Sequence, residues 1–283
     1  MTMIQMGNAA TVPNMDELIS ALETNQLVLP TLPDIAIKIQ QMIDDINVSA
    51  NRIVSVISGD PAIVAQLIKT ANSAVYSDKP KVDNARGAIS RLGYKSLRNL
   101  VLNITLTKLA KADHPMIKKL LTSFWEHSRE VATFSYILGK NQKHLNPDQA
   151  MLAGLIHDIG TLPICLYAEK LLHNLDANEL ESMIRKCRSS IGEKMLHAWG
   201  FPEELIEVVA GHENLQRETA NQKATYTDIV TVANLLNRQT SKITAWDNVA
   251  AVQRLYLSPE VCQDFSDRFN AEIRATYEML FPH

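Results

Sequence analysis

The chain has 283 residues, 46% of them hydrophobic, and its 28 basic and 31 acidic residues give a formal net charge of −3. That length allows one large domain or two smaller ones around a substantial core. The slightly acidic balance excludes a general electrostatic pull towards nucleic acid or anionic lipid. Three scattered cysteines without CxxC spacing, Cys165, Cys187 and Cys262, argue against a disulfide framework or a cysteine zinc site, and Cys165 reads as an inert core thiol. The N-terminus lacks a basic stretch followed by a long apolar one, and no window offers eighteen uninterrupted apolar residues. A cytoplasmic chain without a membrane partner is therefore expected.

In chain order the pattern is helical, with only 10 glycines and no alternating strand run. Thr31–Asp34 opens a helix with Ile35, Ile39, Met42 and Ile43 on one face. Ser49 caps the next, and Asp60-Pro61 supplies an N-cap and a first-turn proline for a third that runs to Asn72-Ser73. The side chains of Asn72 and Ser73 are expected to fix the reversal into the following loop. After the polar loop Ser77–Asn84 comes a helix ended by Gly93, then one over Leu97–Leu109 capped by Ser96. Beyond a boundary near Lys111–Pro115, longer helices are predicted over Met116–Lys140, Pro147–Asp158, Glu179–Trp199, Pro202–Glu213 and Tyr226–Gln239. Two more follow in the tail Asn248–Phe281, divided near Ser258-Pro259.

The chemistry sits in the second half. MLAGLIHDIGTLPIC, residues 151–165, is almost wholly apolar yet holds His157 and Asp158, and buried ionisable groups need partners. His127 falls on the apolar stripe of its helix between Phe124 and Val131, and His212 continues the face of Leu205, Val208 and Val209. Three inward histidines and a carboxylate suit a divalent metal ion and the activation of a bound water. The bland reading of each histidine alone is a hydrogen-bonded core residue. His114, His144, His173 and His283 lie in polar or terminal contexts and read as solvated, and His197 as a helix-end residue. Arg86, Arg91, Lys95 and Arg98 form a basic cluster that reads as a solvated helix face rather than a nucleic-acid surface.

FWEHSREVA around His127, AGLIHDIG around His157-Asp158 and WGFPEELIEVVAGHE around His212 resemble the HD phosphohydrolase superfamily. LPTLPDIAIKI, DPAIVAQLIKTANSAVYS and ARGAISRLGYKSLRNLVL are similar to the signature segments of the HDOD domain, a bacterial all-helical signalling domain related to HD-GYP proteins. The resemblance implies that His127, His157 and Asp158 occupy HD metal-ligand positions. It also exposes departures. Asn234, in TDIVTVANLLNR, stands where the family has a late aspartate, and a neutral carbonyl oxygen is a weaker ligand for a hard cation. Arg188 stands where HD-GYP relatives, which hydrolyse a cyclic dinucleotide, have a further histidine, and no GYP motif follows His212.

The sequence thus predicts an all-α, multi-helical bundle with an HD-like subdomain. Its parts are an N-terminal segment (1–27), an HDOD-specific subdomain (28–110), an HD-like subdomain (111–240) and C-terminal helices (241–283). The expected function is signal transduction by binding a protein partner or small signal, without catalysis. The alternative is a metal-dependent phosphohydrolase acting on a nucleotide or cyclic nucleotide. The candidate metal ligands are His127, His157, Asp158 and His212, with Arg188 and Asn234 as degenerate positions and a divalent ion as the implied cofactor. Partner specificity is expected in the loop Glu213–Thr225 and in the tail, whose removal from Asn248 onward is expected to leave the core folded.

Overall fold

A computed structural model of the chain describes residues 29–45, 48–73, 78–109, 111–171, 177–219, 222–237 and 245–281. The N-terminal segment 1–27, His173, Gln239 and His283 lie outside the described residues. Among the described residues the chain is helical and contains no strand.

Three short helices, α1 (Asp34–Asp44), α2 (Ala50–Ile57) and α3 (Pro61–Ala71), pack on α4 (Ala85–Leu109). Their ends follow the local chemistry. Ser49 Oγ accepts from the Arg52 amide, and Asp60 Oδ1 accepts from Ala62 and Ile63. Inside α4, Gly93 takes φ 81°, a left-handed conformation that breaks the helical path into two segments. Ser96 turns its hydroxyl to Asp148 Oδ1 at 3.1 Å. Asn72 closes the reversal after α3: its amide donates to Val82 O at 2.7 Å while its Oδ1 accepts from the Val82 amide at 3.0 Å. Among the described residues, Ser73 Oγ is buried with no hydrogen-bond partner, so the predicted pair reduces there to Asn72.

The basic cluster is divided: Arg86 and Lys95 are exposed, as a solvated face requires, while Arg91 and Arg98 are half-buried. Arg91 donates to Ala71 O, Asn72 Oδ1 and Pro80 O, Arg98 to Gln149 Oε1, and Arg86 to Asn51 Oδ1.

The long helix α5 (Pro115–Lys140) runs through the second half and packs against α6 (Pro147–Ile156), α7 (Thr161–Leu171) and α10 (Tyr226–Asn237). Next to these, α8 (Ala177–Ala198) and α9 (Glu203–Gly211) form a pair. α7 was not foreseen, because the continuous apolar run hides its periodicity. Pro147–Glu169 is apolar and long enough to cross a membrane, but it is the buried core of this bundle. Cys165 is fully buried, and burial pushes its thiol up to about 12. His144 is exposed, as its polar context suggests, and its Nε2 also meets Ala224 O at 2.9 Å. The two halves are tied where Asn99 and Arg98 of α4 bond Asp148 and Gln149 at the start of α6.

The tail forms four short helices rather than two: α11 (Ala250–Arg254), α12 (Pro259–Gln263), α13 (Phe265–Arg268) and α14 (Asn270–Leu280). Val249, Val252, Leu255 and Phe265 are buried in the common core, and Phe265 stacks on Phe134 of α5. Arg254 is buried and donates to Asp228 Oδ1 at 2.6 Å. Burial alone would raise the Asp228 carboxyl; bonds from Arg254 and the Thr225 amide, with Arg217 nearby, hold it below the ordinary range. The Ala250 amide and Gln216 side chain join tail and loop through Leu215 O and Asn248 O. The tail is thus packed into the common core.

Candidate metal centre

The HD pair sits just past the end of α6, where His157 is the C-cap. Two close helix crossings put it there. A Cβ on Gly154 would lie 2.8 Å from Ala132 Cα of α5, and one on Gly160 would lie 1.9 Å from Arg188 O of α8. Gly160 also faces Gly192. The two glycines let the HD turn and α8 touch through their backbones, which brings the Arg188 side chain to Asp158.

The sequence-predicted residues converge. His127, His157 and Asp158 offer ligand atoms that all lie within 4.8 Å of one another. The His157 ring stands edge-on to both others, with centroids 5.2 Å from His127 and 5.0 Å from His212. His212 joins through Asp158, its Nε2 3.3 Å from Oδ1. His157, Asp158 and His212 are buried and His127 is half-buried.

Each histidine has an acceptor at Nδ1. His157 donates to Gly154 O at 2.8 Å, His212 to Val208 O at 3.0 Å, and His127 to Asn237 Oδ1 at 2.6 Å. Asn237 in turn donates to Glu130 Oε2 at 2.6 Å. An acceptor there keeps the ring proton on Nδ1 and leaves the Nε2 lone pair as the ligand atom. Neither the Asn237 clamp nor Glu130 was foreseen from the sequence, although Asn237 lies one helical turn after Asn234.

Electrostatics sharpens the picture. Burial pushes His157 down to about 3, against the pull of Asp158, so the ring is neutral near pH 7. Burial would raise the Asp158 carboxyl, but His157, His212 and Arg188 outweigh it and hold the acid well below the ordinary range. The lone pair of His157 Nε2 therefore faces a carboxylate oxygen at 3.5 Å, two acceptors that repel unless a cation or proton lies between them. Among the described residues, His157 Nε2, His212 Nε2 and Asn234 Oδ1 are buried and have no hydrogen-bond partner. This donor-poor, imidazole-rich set fits one transition-metal ion.

Arg188 works against a second ion. It is buried, with Nε 2.8 Å from Asp158 Oδ1 and Nη2 paired with the more exposed Glu213. A fixed positive charge already neutralises the only carboxylate of the set. Asn234, buried on α10, contributes no charge.

The family comparison agrees with this architecture. The HDOD domain model matches residues 29–215, two thirds of the chain, and the chain belongs to that family. Among solved structures, the chain is similar to a "putative metal-dependent phosphohydrolase" from Shewanella amazonensis SB2B. The identity is 27%, with 94% of this chain and 97% of that one covered and a TM-score of 0.76. It also shares its fold with an HDOD domain protein of unknown function from Geobacter sulfurreducens, at 20% identity, 94% and 98% coverage and a TM-score of 0.68. An uncharacterised protein of Treponema pallidum is 26% identical over 202 residues, 66% of this chain. The match spans only 38% of the length of that relative.

Proposed function

We propose that this chain is an HDOD-type bacterial signal-transduction module that works in the cytoplasm by binding a protein partner or a small signal, without turning over a phosphodiester. The observation that carries this reading is the Arg188 guanidinium on Asp158. A hydrolytic metal site needs an ion with an open position that acidifies a water. Here the one carboxylate is shared with a tethered cation, and Asn234 supplies no second one. The bonds that Arg91 and Arg98 make to neighbouring parts of the fold speak against nucleic acid as the partner.

The phosphohydrolase reading keeps one specific support: His127, His157 and Asp158 stand at metal-ligand spacing. The test compares wild type, Asn234→Asp and the double variant Asn234→Asp/Arg188→His. Each is assayed for metal content and for hydrolysis of bis(p-nitrophenyl) phosphate with Mn2+. Wild type is expected to show no turnover above buffer, and the double variant to bind metal most tightly. Wild-type hydrolysis that vanishes in His157→Ala would overturn the signalling reading in favour of the enzyme.

A further inference from the structure

Away from the HD cluster, a groove of ≈ 470 Å³ opens where three parts of the fold meet. Gln66 of α3 and Lys108 and Lys111 at the end of α4 form one wall, Arg129 of α5 another, and Tyr277 and Phe281 of the tail the third. In a chain of net charge −3, this lining carries three cations and no carboxylate. Lys108 Nζ is 3.1 Å from Asp60 Oδ2 and so is partly neutralised. Among the described residues, no carboxylate oxygen lies within 4.0 Å of Lys111 or Arg129. The Arg129 guanidinium lies 5.9 Å from the Phe281 ring centroid, an aromatic face that steadies the cation without using its N–H groups. Among the described residues its buried Nε has no hydrogen-bond partner.

A groove of this size with cations and no carboxylate in its lining suits a small anionic ligand. A phosphate monoester carries about −1.5 to −2 charge at neutral pH and several acceptor oxygens, which matches two uncompensated cations better than a monocarboxylate does. We propose that this groove binds a small organic phosphate, with the phosphate on Lys111 and Arg129 and a flat body against Tyr277 and Phe281. The site is separate from the HD cluster and does not depend on metal.

Calorimetric titration of the full chain at low salt with chelator present tests this, using AMP, inorganic phosphate and adenosine as probes. AMP is expected to bind saturably and more tightly than phosphate, adenosine not at all, and added salt to weaken AMP. Lys111→Glu and Arg129→Gln are each expected to weaken AMP at least about tenfold, the scale of a lost charge-assisted hydrogen bond. His212→Gln should bind AMP as wild type does. Failure of AMP and phosphate to bind saturably overturns the proposal, as does AMP affinity that survives both groove substitutions. Loss in His212→Gln alone would move the site to the HD cluster. Capture by anionic phospholipid vesicles without binding of the soluble phosphates would reassign the groove to a membrane surface. Either result rejects the proposal.

Discussion

Replacing Arg188 by methionine removes the guanidinium from Asp158 while keeping a long side chain in the helix-packing space. Both members of the pair are buried, with side-chain exposures of 9% and 8%, so solvent screens the loss little. Stranding one charge of a buried pair costs about 3–5 kcal/mol. Glu213, 43% exposed, rehydrates and adds about 0–1 kcal/mol at most. For a chain of this size each kcal/mol moves the melting point by roughly 2–4 °C, so a fall of roughly 6–24 °C is expected with chelator present. The same substitution frees an Asp158 oxygen for an exchangeable cation. Ni2+ at a hundred times its dissociation constant stabilises a folded protein by about 2.7 kcal/mol, enough to restore much of the loss. Melting scans of wild type and Arg188→Met, each with chelator and with Ni2+, therefore predict a larger metal shift in the variant. A melting point within 2 °C of wild type, or equal metal shifts in both proteins, would refute the idea that Arg188 holds the place of an ion.

Three further outcomes are expected. Asn72→Ala breaks both bonds to the Val82 backbone and should cost about 1–3 kcal/mol in denaturant unfolding. Ser73→Ala, which removes a hydroxyl without a partner, should be close to neutral. Truncation before residue 248 uncovers the Phe134 contact with Phe265 and strands Asp228 without Arg254, so loss of near-ultraviolet dichroism is expected rather than a folded core. Acid should unfold the protein in a set order. Because folding lowers the His157 pKa from 6.5 to about 3, the unfolded chain takes up that proton first. Stability should then fall by roughly 1.4 kcal/mol per pH unit from about pH 6.5 towards 3. Asp158, held lower still, adds to the loss only below its ordinary 3.8. Chelator-treated His157→Gln should show a flatter melting profile between pH 6.5 and 4, and an unchanged profile would exclude His157 as the source.

The sequence made the helical class, most helix starts and the HD cluster legible for a common reason: each rests on short-range signals. Asp60-Pro61 announces a helix start whatever lies beyond it, and the stripe through Phe124, His127 and Val131 points His127 inward before any partner is known. What stayed hidden depends on distant pairings. Asn237 reaches His127 across 110 positions, and Arg254 reaches Asp228 from a tail that looked dispensable. α7 was lost because its first five residues, Thr161–Cys165, are all buried and continue the apolar run before them, so no polar face sets the period there. In the basic cluster, charge alone does not reveal that Arg91 donates to the Ala71 and Pro80 carbonyls while Arg86 and Lys95 stay exposed.

The backbone contact at Gly160 and Gly192 separates the frame of the site from its charge. Because a Cβ on Gly160 would strike the backbone of Arg188 and Gly192, the distance between the HD turn and α8 is set by main chain, and whatever residue occupies position 188 is delivered to the same carboxylate. The cation at this spot can thus be permanent or exchangeable through one side chain, with no refolding of the helices around it. A protein built this way can leave ion chemistry for structural wiring, or return to it, while the rest of the molecule remains the same object to its partners.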